Sequence, residues 1–319
     1  MTNEIFEILD FFTELSEILE RVPYINPETR FTIKKKEDEY QWTLSSITTP
    51  YVYLHYFGSA YLDKKSILHI MDYGYSIKEA IEENYGISLR EEIKEYTHDL
   101  WKNNEFIEKM AEKFPLAFDD YNTRQRLIDE ISDTKIRQRI LEDGYVVTEI
   151  VYKVDKKDSK SIIEKIIEGI RILREIYLKQ YGFQEEYTLI NTEKETHWMQ
   201  TREKIKFVIE LLKPFSEQIE IKRLVINNGQ SDTDNYISLF IIGGLLEQLE
   251  IQVNLTYNQV KAKICLYGIK ENSLNLINEI KKSNKVRVDY YTEMVILSTE
   301  KSSLHQMLTF LTKILEKIL

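Results

Sequence analysis

Residues 4 to 22 carry Ile5, Ile8, Leu9, Phe12, Leu15, Leu19 and Val22 at helical spacing, and Pro23 and Pro27 stop that helix. Residues 31 to 62 then read as β-structure, with alternation at Trp42 and Leu44 and the run Tyr51 to Phe57. Gly58 punctuates the stretch, and Ser59 to Leu62 form a last short strand. Asp63 is placed to cap a helix KKSILHIMDY. Gly74 ends it, and Ser76 with Glu79 forms a capping box for a second helix that Gly86 closes. Ser88 with Glu91 opens a third helix, through Arg90 to Trp101. The first third therefore reads β-β-β-α-α-α.

From Tyr145 the pattern alternates. A strand YVVTEIVYKV precedes a helix at Ser161 to Gln180; a strand at Glu186 to Ile190 precedes a helix at Glu195 to Pro214. A strand at Ile219 to Asn227 precedes a helix at Asp234 to Leu249. Two strands (EIQVNLTY, QVKAKICLYG), a helix, two short strands and a final helix complete the chain. Strands alternating with helices predict a mostly parallel sheet with crossovers, and the boundary between two domains, 1–115 and 116–319, falls near Pro115.

Composition narrows the chemistry. One cysteine, Cys265, permits neither an internal disulfide nor a four-cysteine zinc site. The net charge of −10, from 43 basic and 53 acidic residues, disfavours a nucleic-acid partner. No apolar run approaches the roughly 20 residues a bilayer requires, and the first residues lack a basic leader, so a cytoplasmic protein without a membrane partner is expected. The histidines His55, His69, His98, His197 and His305 show no HExxH spacing, and neither a GxSxG elbow nor a Walker loop is present. No catalytic residue, metal or cofactor is expected.

Two segments resemble known families. Tyr61, Leu62, Asp63, Ile67, Leu68, Met71, Asp72, Gly74, Ser76, Ile77, Glu79, Ala80, Ile81, Tyr85 and Ile87 follow the order of the PqqD-like recognition element of ribosomal peptide (RiPP) pathways. That element is a winged-helix-type α+β domain, a three-stranded sheet with three helices. A winged-helix DNA reader would need a basic third helix; Glu91, Glu92, Glu95 and Asp99 outnumber Arg90, Lys94 and Lys102 here, which favours a peptide. Further on, Tyr121, Arg124, Gln125, Leu127, Ile128, Asp129 and Glu130, followed by KRLVINNGQSDTDN, resemble a ThiF-type (Rossmann-like) α/β adenylating domain. The glycine-rich phosphate turn of that family is replaced by VDKKDSKS at Val154 to Ser161, so the resemblance is to a degenerate, non-adenylating member in which Arg124 makes a structural contact.

Together the two resemblances imply a scaffold of azole-forming pathways, thiopeptide clusters included. Such a protein binds the leader of a precursor peptide and presents its core to a YcaO-type cyclodehydratase and a flavin-dependent azoline dehydrogenase, with a homodimer as a further option. The implied mechanism adds the leader as a strand along Ser59, Ala60, Tyr61 and Leu62. Its side chains would enter a groove against Ile93, Tyr96, Thr97, Leu100 and Trp101. The competing readings are a DNA-binding regulator or phage-defence protein, and an adenylating enzyme with an unusual nucleotide loop.

Overall fold

A computed structural model of the chain describes residues 2–22, 25, 28–46, 58–76, 136–140, 145–181, 191–229, 233–244, 246–256, 259–268, 277–281, 286–291 and 294–319. The long helices among the described residues are α1 (Thr2–Glu20), α2 (Ser159–Tyr181), α3 (Asn191–Leu212) and α4 (Leu304–Ile318). The strands are β1 (Thr29–Lys36), β2 (Glu39–Ser46), β3 (Ser59–Leu62), β4 (Ile67–Ser76), β5 (Ile136–Ile140), β6 (Tyr145–Lys153), β7 (Ile219–Asn228), β8 (Asn235–Gly243), β9 (Leu246–Leu255), β10 (Val260–Tyr267), β11 (Arg287–Tyr290) and β12 (Met294–Lys301). The chain divides into two compact units, one of Met1–Ile47 with Thr188–Leu319 and the other of Thr48–Tyr187.

In the first unit the strands run in the order β11-β12-β10-β9-β8-β7-β1-β2. α1 lies over β1 and β2 through Phe12, which meets Phe31 at 4.6 Å and Trp42 at 6.1 Å between ring centroids. Arg202 of α3 donates to Glu20 of α1 at 2.7 Å and ties the two helices. Phe12 is fully buried, so Phe12→Ala is expected to cost about 3–5 kcal/mol, read as a lower midpoint in denaturant unfolding. The β8–β9 turn needs glycine: Gly244 has φ +71°, and a Cβ there would stand 2.8 Å from Ile318 O at the end of α4. In the second unit the order is β3-β4-β6-β5, with Ile70 of β4 packed against Gly169 of α2.

This architecture overturns the expected fold class. Every register resolved among the described residues is antiparallel, so the chain is neither a helix-rich PqqD-like winged-helix domain nor a Rossmann-type ThiF-like domain. Two expected helices are strands. The segment KKSILHIMDY forms β4, because Asp63 closes a hairpin turn: its Oδ1 accepts the Lys65 and Ile67 N–H groups, each at 2.8 Å. Asp234 to Leu249 forms the β8–β9 hairpin. Ile237, Leu239 and Ile241 alternate inward, and Gly243 and Gly244 supply the positive φ angles of the turn. The helices expected after Ser76, with Ile93, Tyr96, Thr97, Leu100 and Trp101, lie outside the described residues, as does Arg124.

Among the described residues one order of long helices and strands occurs twice. α1, β1 to β4, β5 and β6, then α2 is followed by α3, β7 to β10, β11 and β12, then α4. Neighbours repeat as well: β1-β2 matches β7-β8, and β3-β4-β6-β5 matches β9-β10-β12-β11. The hydrogen-bond phase agrees. Asp63 N–H donates to Ile67 O at 3.0 Å across one turn, and Thr256 N–H donates to Gln259 O at 3.0 Å across the other. Carried outward through the registers, this phase sets His69 at the position of Lys261, Glu149 at that of Ser298, and Gln138 at that of Val288. Even the caps correspond: Asp158 Oδ1 accepts Ser161 N–H before α2, and Ser303 Oγ accepts Gln306 N–H before α4. Among the described residues the chain thus carries one strand arrangement twice, and the two copies are called repeats.

Candidate functional site

β11 is the outermost strand of its unit, and among the described residues it pairs only with β12. Tyr291 N–H donates to Met294 O at 2.9 Å, which fixes the phase of the ladder. Because antiparallel pairs alternate, Asp289 and Arg287 also turn their main-chain groups toward β12. Val288 and Tyr290 then direct their N–H and C=O groups away from the sheet. Two of the three large apolar side chains that stand exposed among the described residues are here, Tyr290 at 50 % and Tyr291 at 56 %.

Protected edges are short and charged, and β11 has both traits: four residues, with Arg287 donating to Asp289 at 3.2 Å. Two adjacent exposed tyrosines do not belong to that protection. Tyrosine offers a rigid apolar ring and a polar tip, the profile enriched at the centres of interfaces. Sequence reading did not single these residues out; their signal was the dipeptide Tyr290-Tyr291 on a short, isolated strand.

The strand expected to take a guest, Ser59 to Leu62, is β3, paired with β4. Ser59 and Ala60 are buried at 5 % and 0 % exposure, and Tyr61 stacks on His69 at 4.6 Å with the rings 4° apart. Leu62 is half-buried. Behind Tyr61, His69 Nδ1 lies 2.7 Å from Glu149 Oε1 and Nε2 lies 3.4 Å from Asp63 Oδ2. Burial works to raise the Asp63 carboxyl, but hydrogen bonds from Ile67 N–H, His69 and Lys65 N–H outweigh it and hold the group below its ordinary range. Both ring nitrogens of His69 thus face carboxylates, leaving neither for a substrate.

A second polar cluster went unremarked in the sequence. Lys204 of α3 is fully buried and donates to Asn227 O and Asn228 Oδ1, each at 2.9 Å. Asn227 accepts from Arg30 Nε at 2.8 Å and donates to Asp234 O at 2.6 Å. Burial pushes the Lys204 ammonium down to about 7. The cluster ties α3 to the end of β7, where the first strands of the two repeats, β1 and β7, pair with each other.

The turn before α2 is closed by its own carboxylates. Asp155 Oδ1 accepts Lys157 N–H and Asp158 Oδ1 accepts Ser161 N–H, each at 3.0 Å, so acid side chains occupy the helix N-terminus where an adenylating domain would bring phosphate. Cys265 is buried, and that burial raises its thiol above the ordinary range. No group of three or more His, Cys, Asp or Glu residues suited to a metal ion occurs among the described residues, and no described helix is long and apolar enough to cross a membrane. No protein-family model matches the chain, and neither the curated proteins nor the solved structures contain a match.

Proposed function

We propose that this chain is a non-catalytic binding protein that takes an extended segment of a partner polypeptide as an added strand along β11. The carrying observation is the outward-facing main chain of Val288 and Tyr290 beside two exposed tyrosines. A guest strand would gain up to four main-chain hydrogen bonds from those two residues, each worth about 0.5–1.5 kcal/mol net. Tyr290 and Tyr291 would grip alternate guest side chains from opposite faces of the strand. A precursor leader is one chemical example of such a segment. The cyclodehydratase and dehydrogenase were implied by the two-domain resemblance, whose folds this chain does not have, and the proposal does without them.

The test is selection of a displayed library of random linear peptides on the purified chain, followed by fluorescence-polarisation titration of the enriched peptides. Val288→Pro deletes an outward N–H and leaves every β11–β12 bond in place. It is expected to weaken binding about tenfold or more with an unchanged melting curve. Asp289→Pro deletes an N–H bonded to β12 and is expected to lower the melting temperature instead. If none of the enriched peptides loses affinity on Val288→Pro, the proposal is overturned.

A further inference from the structure

The geometry points to a second docking edge, β5, which takes an extended acidic peptide segment; this rests on the β11 reading and deepens it. Three observations lead there. First, β5 holds in its repeat the place that β11 holds in the other: outermost strand, paired among the described residues only with β6 as β11 is with β12.

Second, its hydrogen-bond phase is the same. Val154 N–H donates to Ser66 O at 3.0 Å, continuing the β4–β6 ladder, so the even-numbered positions of β6 turn their main chain toward β4. The odd positions, Val147 and Glu149, then turn toward β5 and bond Arg139 and Arg137. Ile136, Gln138 and Ile140 are left with N–H and C=O groups directed outward, in step with Val288 and Tyr290 of β11. An edge with three outward residues offers a guest more main-chain bonds than β11 does.

Third, the two edges differ in charge. β5 reads Ile-Arg-Gln-Arg-Ile, with two cations and no acid, whereas β11 balances Arg287 with Asp289. In the ladder Arg137 takes the register position opposite Glu149 and Arg139 the position opposite Val147. A guest strand rich in Asp and Glu places opposite charges beside those arginines, and like charges there would be repelled. The repeated arrangement therefore presents two edges of one geometry and different charge.

The experiment repeats the peptide selection on Val288→Pro, where the β11 edge is blocked. Acidic peptides are expected to be enriched, and to be lost when Gln138→Pro is added. Amide hydrogen exchange on the unmodified chain with such a peptide supplies a check that needs no variant to fold: Gln138 and Ile140 should gain protection, while Arg137 and Arg139, already bonded to β6, should not change. If the unmodified chain enriches peptides and Val288→Pro enriches none, the second edge is refuted and the β11 reading stands. Peptides that survive Gln138→Pro, or bind without protecting Gln138, refute it too. A chain that self-associates through Gln138 would make the occupant a second copy and refute the peptide assignment. If no peptide is enriched on the unmodified chain, both edges fall together.

Discussion

Between about pH 6.5 and pH 8.5 the unfolding free energy is expected to rise by roughly 2 kcal/mol through Lys204 alone. The sign follows from proton counting. In the folded chain burial holds the Lys204 pKa at about 7, against 10.5 for an ordinary lysine. Between those values the unfolded chain binds a proton that the folded chain has released, so stability rises with pH. Below the lower value both states are charged, and the folded state carries the full cost of an ammonium ion held from water by Asn227 O and Asn228 Oδ1. The upper limit stays below the range where the raised Cys265 thiol enters with the opposite sign, since there the unfolded chain would lose its thiol proton first. Urea unfolding across the window reads the slope, and Lys204→Met isolates it. The variant keeps the length of the side chain and has no proton to release, so its slope should fall to that of the remaining groups. Equal slopes in both proteins would mean that Lys204 stays charged in the fold.

The helices that survived from sequence to structure are those whose apolar period persists over several turns: α1, α2, α3 and α4. The misread segments are short apolar runs that fit either period. In SILHIMDY and YISLFIIGGL, adjacent apolar residues satisfy a helical stripe and a strand alternation together, and the arbiters were turn residues. By sequence Asp63 fits a helix cap equally well, yet it closes a hairpin, and an apolar helical period runs straight across the Gly243-Gly244 pair that makes a turn. One buried group was legible. Trp198, Thr201, Lys204, Val208 and Leu211 form a stripe on α3, and a lysine within an apolar stripe is a signal in itself. The repeat was not legible. Its equivalent positions hold unlike residues, such as Asp63 and Thr256 or His69 and Lys261, and only the ladder registers align them. Nor could β11 and β5 be known as edges, because strand order arises from pairings far apart in the chain.

The repeat also separates what the shared fold requires from what one copy has added, and His69 falls on the second side. Where the second repeat places Lys261 and Ser298, Lys261 meets Glu300 at 3.7 Å on an exposed surface. In the first repeat His69 and Glu149 meet at 2.7 Å, with side-chain exposures of 13 % and 8 %. His69→Leu is therefore expected to cost about 3 kcal/mol, because it leaves the Glu149 carboxylate buried without its imidazole partner. Asp63 keeps its two backbone donors, so little of the loss should arise there. Adding Glu149→Leu removes the stranded charge and is expected to restore most of the stability, giving a coupling of about 2 kcal/mol in a double-mutant cycle read by urea unfolding. A lysine–glutamate pair as exposed as Lys261 and Glu300 should couple by less than about 1 kcal/mol in the same measurement. If the two cycles returned the same small value, the His69 cluster would be an ordinary surface contact of the repeated arrangement. A large coupling confined to the first repeat would mark it as a rigid polar brace beneath Tyr61, holding β3, β4 and β6 in register.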